Sequence, residues 1–114
     1  MSINYWKTAY KEELDHAILA RSSGNEGMAR VCTRREAGLV TGEYLERLGY
    51  IDITNSAYDH LTKFINLPSV NPIYKEIARH FLLKVDHDHN LPRHVDLIAD
   101  VQILEKELLN EPIH

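Results

Sequence analysis

The residues best suited to metal chemistry lie together in the segment 84–98, which reads KVDHDHNLPRHVDLI. Imidazole nitrogens and carboxylate oxygens are good ligands for zinc and other divalent ions. The segment supplies both kinds of ligand, from His87, His89, His94, Asp86, Asp88 and Asp96. A metal site built on His87, His89 and His94 is therefore one hypothesis for this chain.

The spacing of these histidines favours a second interpretation, a polar corner between two helices. His87 and His89 would share a side only in an extended backbone, because on a helix they would point in nearly opposite directions. His80 and His87 would share a helix face but stand roughly 10 Å apart, too far for one ion. Histidines at a helix end donate to its last carbonyl groups, and an acidic side chain such as Asp96 suits the start of the next helix. We expect a structural corner, with metal binding as the alternative.

A long predicted helix, about 26–48, carries a strip of small residues. Gly38 and Gly42 are four residues apart and therefore lie on one helix face. Glycine inside a helix costs up to about 1 kcal/mol relative to alanine, so a close helix–helix crossing is expected to offset that cost. This crossing lies either inside the bundle, which is the simpler interpretation, or at a homodimer interface.

Three arginines, Arg30, Arg34 and Arg35, occur on the same helix. The default interpretation is a solvated face of ion pairs, and the alternative is a patch that binds an anion or RNA. The formal net charge of the chain is −4, which does not indicate a generic duplex-binding protein. Cys32, between these arginines, is predicted to be a small core residue rather than a nucleophile.

The elements that must position these residues are predicted to be helices. Apolar residues recur at steps of three or four, and no segment shows the alternation or the Asn-Gly turn of a hairpin. Asn25 before the long helix, Gly49 after it and Asn71-Pro72 farther along are helix start and stop signals. Short connections predict antiparallel neighbours. The expected fold is all-α, an antiparallel up-down bundle of four main helices plus one short helix, in a single domain spanning residues 1–114.

Length and composition further narrow the classes of function that are possible for this chain. The chain has 114 residues, of which 44% are apolar, enough for one core. One cysteine excludes an internal disulfide and a zinc site of several thiolates. No apolar run is long enough to cross a bilayer and the N-terminus is unlike a signal peptide, so we expect a cytoplasmic protein. The pattern Glu13-x-x-His16 occurs once without a second copy, so no di-iron cofactor is expected, and no other cofactor is implied.

Two stretches resemble the small all-helical HEPN-like proteins of prokaryotes. EGMARVCTRREAGLVTGEYLERLG looks like their compact second helix, and IARHFLLKVDHDHNLPRHVDLIADVQILEKEL looks like their closing helix, corner and helix. The resemblance covers residues 3–109. It implies a homodimer formed through bundle helices, and sometimes a partnership with a nucleotidyltransferase-like protein.

Catalytic HEPN proteins are metal-independent ribonucleases that resemble one another in an arginine, four to six residues, and then a histidine. In this chain Arg79 precedes His80 directly, and His87 follows after seven intervening residues. We therefore expect a non-catalytic protein that acts by association as a homodimer. The alternative is a degenerate or unusual ribonuclease or RNA-binding protein that uses Arg79, His80 and His87. A further alternative is a divalent-metal-binding protein that uses the corner from Asp86 to His94.

Overall fold

The computed structural model describes residues 5–50, 54–83 and 95–109, and every regular element in these ranges is helical. The all-α prediction is therefore confirmed for this part of the chain. The elements are α1 (Tyr5–Ser22), α2 (Glu26–Arg47), α3 (Ala57–Ile65), α4 (Pro72–His80), α5 (Leu97–Leu104) and a π-helical segment (Glu105–Leu109) that continues α5.

The predicted Asp/His corner falls outside the described residues. Its three candidate metal ligands, His87, His89 and His94, lie in the range 84–94, and so does the third residue of the ribonuclease hypothesis, His87. Of the corner's acidic residues, Asp96 lies within the described part of the chain.

The long helix α2 begins and ends where its sequence signals predict. The side chain of Asn25 accepts a hydrogen bond from the backbone N–H of Met28, 3.1 Å away, which satisfies a donor that the first helical turn leaves free. Gly49 follows the helix with a φ of +97°, a left-handed conformation that glycine adopts without strain. The two signals fix the length of α2.

The later helices are also capped by the predicted residues. Asn71 caps α4 directly before Pro72. Asp96 caps α5 through the N–H of Ala99, and it also accepts a hydrogen bond from Arg21 at the end of α1, 3.0 Å away. Burial opposes the charged form of Asp96, but the hydrogen bonds from Arg21 and from the start of α5 outweigh it and hold its pKa below the usual range.

Helices α1 and α2 form an antiparallel pair. Arg47, at the end of α2, lies over the ring of Trp6 at the start of α1, with 5.9 Å between the guanidinium carbon and the ring centroid. Farther along the pair, Arg35 of α2 is 3.7 Å from the carboxylate of Glu13 in α1. Residue numbers therefore rise along one helix as they fall along the other, as the short connection between them predicts.

Helix α3 crosses α2 at the strip of small residues. A β-carbon on Gly38 would collide with the side chain of Ala57 and would lie 2.7 Å from its Cα atom. A β-carbon on Gly42 would lie 2.5 Å from the Nδ1 atom of His60. Both glycines are buried within the chain, so the structure places them at an internal crossing, the simpler of the two interpretations that the sequence left open.

The direction of α3 differs from the expected up-down order. Ala57 lies at Gly38 at one end of the crossing, and Phe64 packs edge-on against Tyr44 farther along, with ring centroids 5.7 Å apart. Residue numbers rise together along the two helices, so α3 runs in the same direction as α2 here. Nine residues, 48–56, separate the two helices, which is long enough to permit either direction of α3.

The core is built around α2, which contacts α1, α3 and α5. Apolar residues of this core include Trp6, Val40, Leu45, Leu61, Phe64, Phe81, Leu97, Val101 and Leu104. Within the described ranges, no helix combines the length and the apolar character that crossing a bilayer requires.

Candidate metal centre

Three side chains with metal-ligand chemistry meet between α1 and α2. Glu13 and His16 lie one turn apart on α1, a spacing that puts them on one helix face. The antiparallel pairing brings Cys32 of α2 opposite them. A carboxylate oxygen of Glu13, a ring nitrogen of His16 and the Sγ atom of Cys32 all lie within 4.8 Å of one another.

The three donors are arranged from the interior to the surface. Cys32 is 2% exposed, Glu13 is partly buried and His16 is exposed. The thiol is therefore shielded from bulk solvent, while the imidazole faces it. An ion could reach this cluster from the solvent side without a rearrangement of the helices.

A fourth carboxylate, that of Glu36, follows Cys32 by one turn of α2 and so lies on the same helix face, although it is outside the group of donors within 4.8 Å of one another. It is fully buried, with 0% of its surface exposed. Neither of its carboxylate oxygens has a hydrogen-bond partner among the described residues, and the same holds for the Oε1 atom of Glu13. Buried polar groups are normally paired, because an unpaired one loses its hydration without compensation. Three carboxylate oxygens between α1 and α2 therefore lack, within the described part of the chain, the hydrogen-bond partner that would compensate for their lost hydration.

Burial determines the protonation states of Glu36 and Cys32. Burial, and secondarily the negative charges of Glu13 and Asp15, raise the pKa of the Glu36 carboxyl to about 8. Burial and the hydrogen bond to Glu13 raise the pKa of the Cys32 thiol, although the positive charge of Arg35 opposes this. At neutral pH, with no cation bound, both groups keep their protons. A bound divalent ion would reverse this, since it favours the thiolate and the carboxylate.

Two neighbours frame the cluster. The guanidinium of Arg35 is 3.7 Å from Glu13 and can orient that carboxylate from the outer side. On the inner side, burial and then the charges of Glu36 and Glu105 raise the pKa of Tyr10, so its phenol remains neutral beside Glu36. The cluster thus has a cationic outer side and an uncharged inner side.

These donors match a borderline transition metal. Zinc binds sulfur at about 2.3 Å and nitrogen or oxygen at about 2.0–2.2 Å, which puts ligand atoms of one tetrahedral ion roughly 3–4 Å apart. The observed separations, all within 4.8 Å, approach that range and need only side-chain adjustment. A thiolate and an imidazole together favour zinc, cobalt or ferrous iron over magnesium or calcium.

The described residues of the ribonuclease hypothesis make structural contacts at α4. Arg79 donates to Glu76 at 3.2 Å, one turn away on the same helix. The Nδ1 atom of His80 is 2.7 Å from Asp100 of α5, and its Nε2 atom is 3.9 Å from Glu76. His80 therefore lies between two carboxylates and joins α4 to α5.

The three arginines of the predicted anion patch have contacts within the chain. The Nε atom of Arg34 donates to the backbone oxygen of Phe81 at 3.2 Å, and Arg35 is paired with Glu13. Arg30 is partly buried and also has an interaction partner. Arg34 and Arg35 are accordingly engaged with different elements of the fold.

Sequence reasoning placed Cys32 in the core, and its burial confirms that prediction. It did not predict that Cys32 faces Glu13 and His16, and it did not identify Glu36. A signal was present: Glu13-x-x-His16 and Cys32-x-x-x-Glu36 are each spaced by one helical turn. Because each pair is unremarkable alone, only the pairing of α1 with α2 reveals the cluster.

Comparison of the chain with protein-family models, with curated proteins and with solved structures finds no match. The function is accordingly inferred from the residues that meet between α1 and α2. Their donor types, separations and burial define the chemistry available to this site.

Proposed function

We propose that this protein binds one divalent transition-metal ion between α1 and α2, with Glu13, His16 and Cys32 as ligands. The observation that carries this proposal is the convergence of their three donor atoms within 4.8 Å. One sulfur, one nitrogen and one oxygen donor suit zinc, cobalt or ferrous iron. Metal binding, which the sequence suggested for the corner from Asp86 to His94, is thus proposed for the helical pair.

The surroundings of the ligands support this assignment. The exposed His16 gives an ion a route from solvent, and the buried Cys32 would shield its bond to the metal from water. The guanidinium of Arg35 is 3.7 Å from the Glu13 carboxylate and would stabilise its anionic form. Since the ligands come from two helices, a bound ion would also cross-link α1 to α2 and stabilise the folded state.

Titration of metal-free protein with Co²⁺ tests the proposal. Cobalt bound to a thiolate absorbs in the near ultraviolet through sulfur-to-metal charge transfer, and Cys32 is the only cysteine in the chain. We expect this absorption to saturate at one ion per chain. Substitution Cys32→Ala is expected to abolish it, and Glu13→Gln is expected to weaken binding by roughly 10–100-fold.

Glu12→Gln is the matched control, because Glu12 is adjacent to Glu13 but exposed. Its Co²⁺ affinity and spectrum are expected to equal those of the unsubstituted protein. Cobalt binding that lacks the sulfur absorption and persists in Cys32→Ala would place the metal elsewhere, for example in the segment 84–94. An absence of saturable binding would refute the proposal altogether.

We further propose that this site belongs to an HEPN-like, cytoplasmic protein of a prokaryote. Its helical bundle associates as a homodimer. The resemblance of residues 26–49 and 77–108 to HEPN-like helices supports this classification. In the bundle we propose, α1 and α2 are the antiparallel pair that holds the metal. Light scattering is expected to give twice the chain mass of 13.2 kDa, and a strict monomer would count against the homodimer.

A further inference from the structure

We propose that Glu36 is the fourth ligand, which closes the site into a four-coordinate centre of one sulfur, one nitrogen and two carboxylate oxygens. This inference rests on the proposed function and specifies the coordination of the same site. It assigns Glu36 a role that neither the fold nor the hydrophobic core explains. The ion that fits is a divalent metal of the zinc type, held structurally with no position left for water.

The placement of Glu36 is the first argument. It lies one turn beyond Cys32 on the same face of α2, the face that meets α1. Glu36 lies outside the group of donor atoms that are within 4.8 Å of one another, so a change of side-chain rotamer would bring its carboxylate to the ion. Glu36 is fully buried and its oxygens have no hydrogen-bond partner among the described residues, so both are available to an ion.

The balance of charge is the second argument. With Glu36 ionised, the centre contains three anionic ligands: two carboxylates and the Cys32 thiolate. A divalent ion and the guanidinium of Arg35 would neutralise them together, since Arg35 is already 3.7 Å from Glu13. Without a cation, an ionised Glu36 would be a buried, unpaired charge, which is among the most destabilising arrangements in a protein interior.

The alternative is a three-ligand site in which water occupies the fourth position. Such a site would leave the Glu36 carboxylate buried and without a partner even in the metal-bound protein. Metal binding would then not compensate for the burial of this glutamate. Closed four-ligand sites and open three-ligand sites also differ in a measurable way. The open form admits water or an added anion at the metal, whereas the closed form does not.

The test compares Glu36→Gln with the unsubstituted protein, using Co²⁺ as the probe. Glutamine has nearly the shape of the protonated glutamic acid, so the variant is expected to fold, and circular dichroism checks this. We expect the unsubstituted protein to show the strong visible absorption of tetrahedral cobalt. We expect Glu36→Gln to bind Co²⁺ roughly 10–100-fold more weakly, with weaker visible absorption as water enters. Glu46→Gln, an exposed site on α2, is the matched control and is expected to change neither property.

The outcomes separate this inference from the proposed function. If Glu36→Gln keeps the affinity and the spectrum of the unsubstituted protein, Glu36 is not a ligand, although Glu13, His16 and Cys32 still bind the metal. If the unsubstituted protein binds no Co²⁺, both proposals fail. X-ray absorption of the Zn²⁺-loaded protein requires no variant. Five or six neighbours of the zinc ion overturn the closed site. With four neighbours, the comparison with Glu36→Gln decides whether the fourth is the Glu36 carboxylate or a water molecule.

Discussion

The two faces of α2 differ in how completely their polar groups are satisfied. On the face that meets α3, both ring nitrogens of His60 lie within hydrogen-bonding distance of carbonyl oxygens, 2.7 Å from Gly38 and 2.5 Å from Thr54. On the face that meets α1, the carboxylate of Glu36 is buried with no hydrogen-bond partner among the described residues. His60 therefore has polar partners at the α3 contact, whereas the α1 contact leaves carboxylate oxygens of Glu36 without a hydrogen-bond partner among the described residues.

The contrast distinguishes a structural contact from a candidate binding site. At the α3 crossing, glycines remove the side chains that would prevent close approach, and the backbone oxygen of Gly38 has a ring nitrogen of His60 as a partner 2.7 Å away. At the α1 contact, a shorter or apolar residue at position 36 would pack with less electrostatic penalty than a glutamate does. A sequence that retains the glutamate there sacrifices stability in the metal-free state, which is the pattern expected where a ligand compensates.

The largest predicted effect concerns the dependence of stability on pH in metal-free protein. The folded pKa of Glu36, about 8, lies above its usual value of 4.5, so the folded state binds more protons than the unfolded state between these values. The free energy of unfolding should therefore fall as pH rises from about 4.5 to about 8, and level off above that, with a full contribution of about 5 kcal/mol. Below about pH 4.5 both states are protonated and the penalty disappears.

Urea unfolding with a chelator present, at several pH values, measures this effect. In Glu36→Gln the Glu36 contribution is absent, so its stability is expected to exceed that of the unsubstituted protein by an amount that grows with pH across this range. Glu46→Gln serves as the control and should follow the unsubstituted protein. A constant difference between Glu36→Gln and the unsubstituted protein at all pH values would show that burial does not raise the Glu36 pKa.

The same contrast explains which features could be predicted from sequence. The helices, the caps at Asn25 and Asp96 and the need for a close crossing at Gly38 follow from local rules that act within a few residues. The direction of α3 does not follow from them, because the connection before it is long enough to permit either direction. The metal centre also escapes local rules, since its donors are brought together only by the register of α1 against α2.

The next largest effect is expected at the crossing itself. In Gly38→Ala the added methyl group would collide with the backbone and side chain of Ala57, which cannot move without displacing α3. We expect the free energy of unfolding to fall by roughly 1–3 kcal/mol, despite the better helix propensity of alanine. Thermal or urea unfolding of the variant measures the change, and Co²⁺ affinity should be unaffected because the α1 face is untouched.

Gly27→Ala makes the same substitution in the same helix, away from any crossing, and completes the comparison with Gly38. The nearest atoms to an added β-carbon there are 3.8 Å away in Asn25 and 3.9 Å away in Arg30, which is ordinary contact distance. With no collision, the helix preference of alanine should raise the free energy of unfolding by up to about 1 kcal/mol. Opposite signs at the two glycines would show that packing against α3 requires Gly38. A similar small gain at both positions would mean that α3 does not approach α2 this closely in solution.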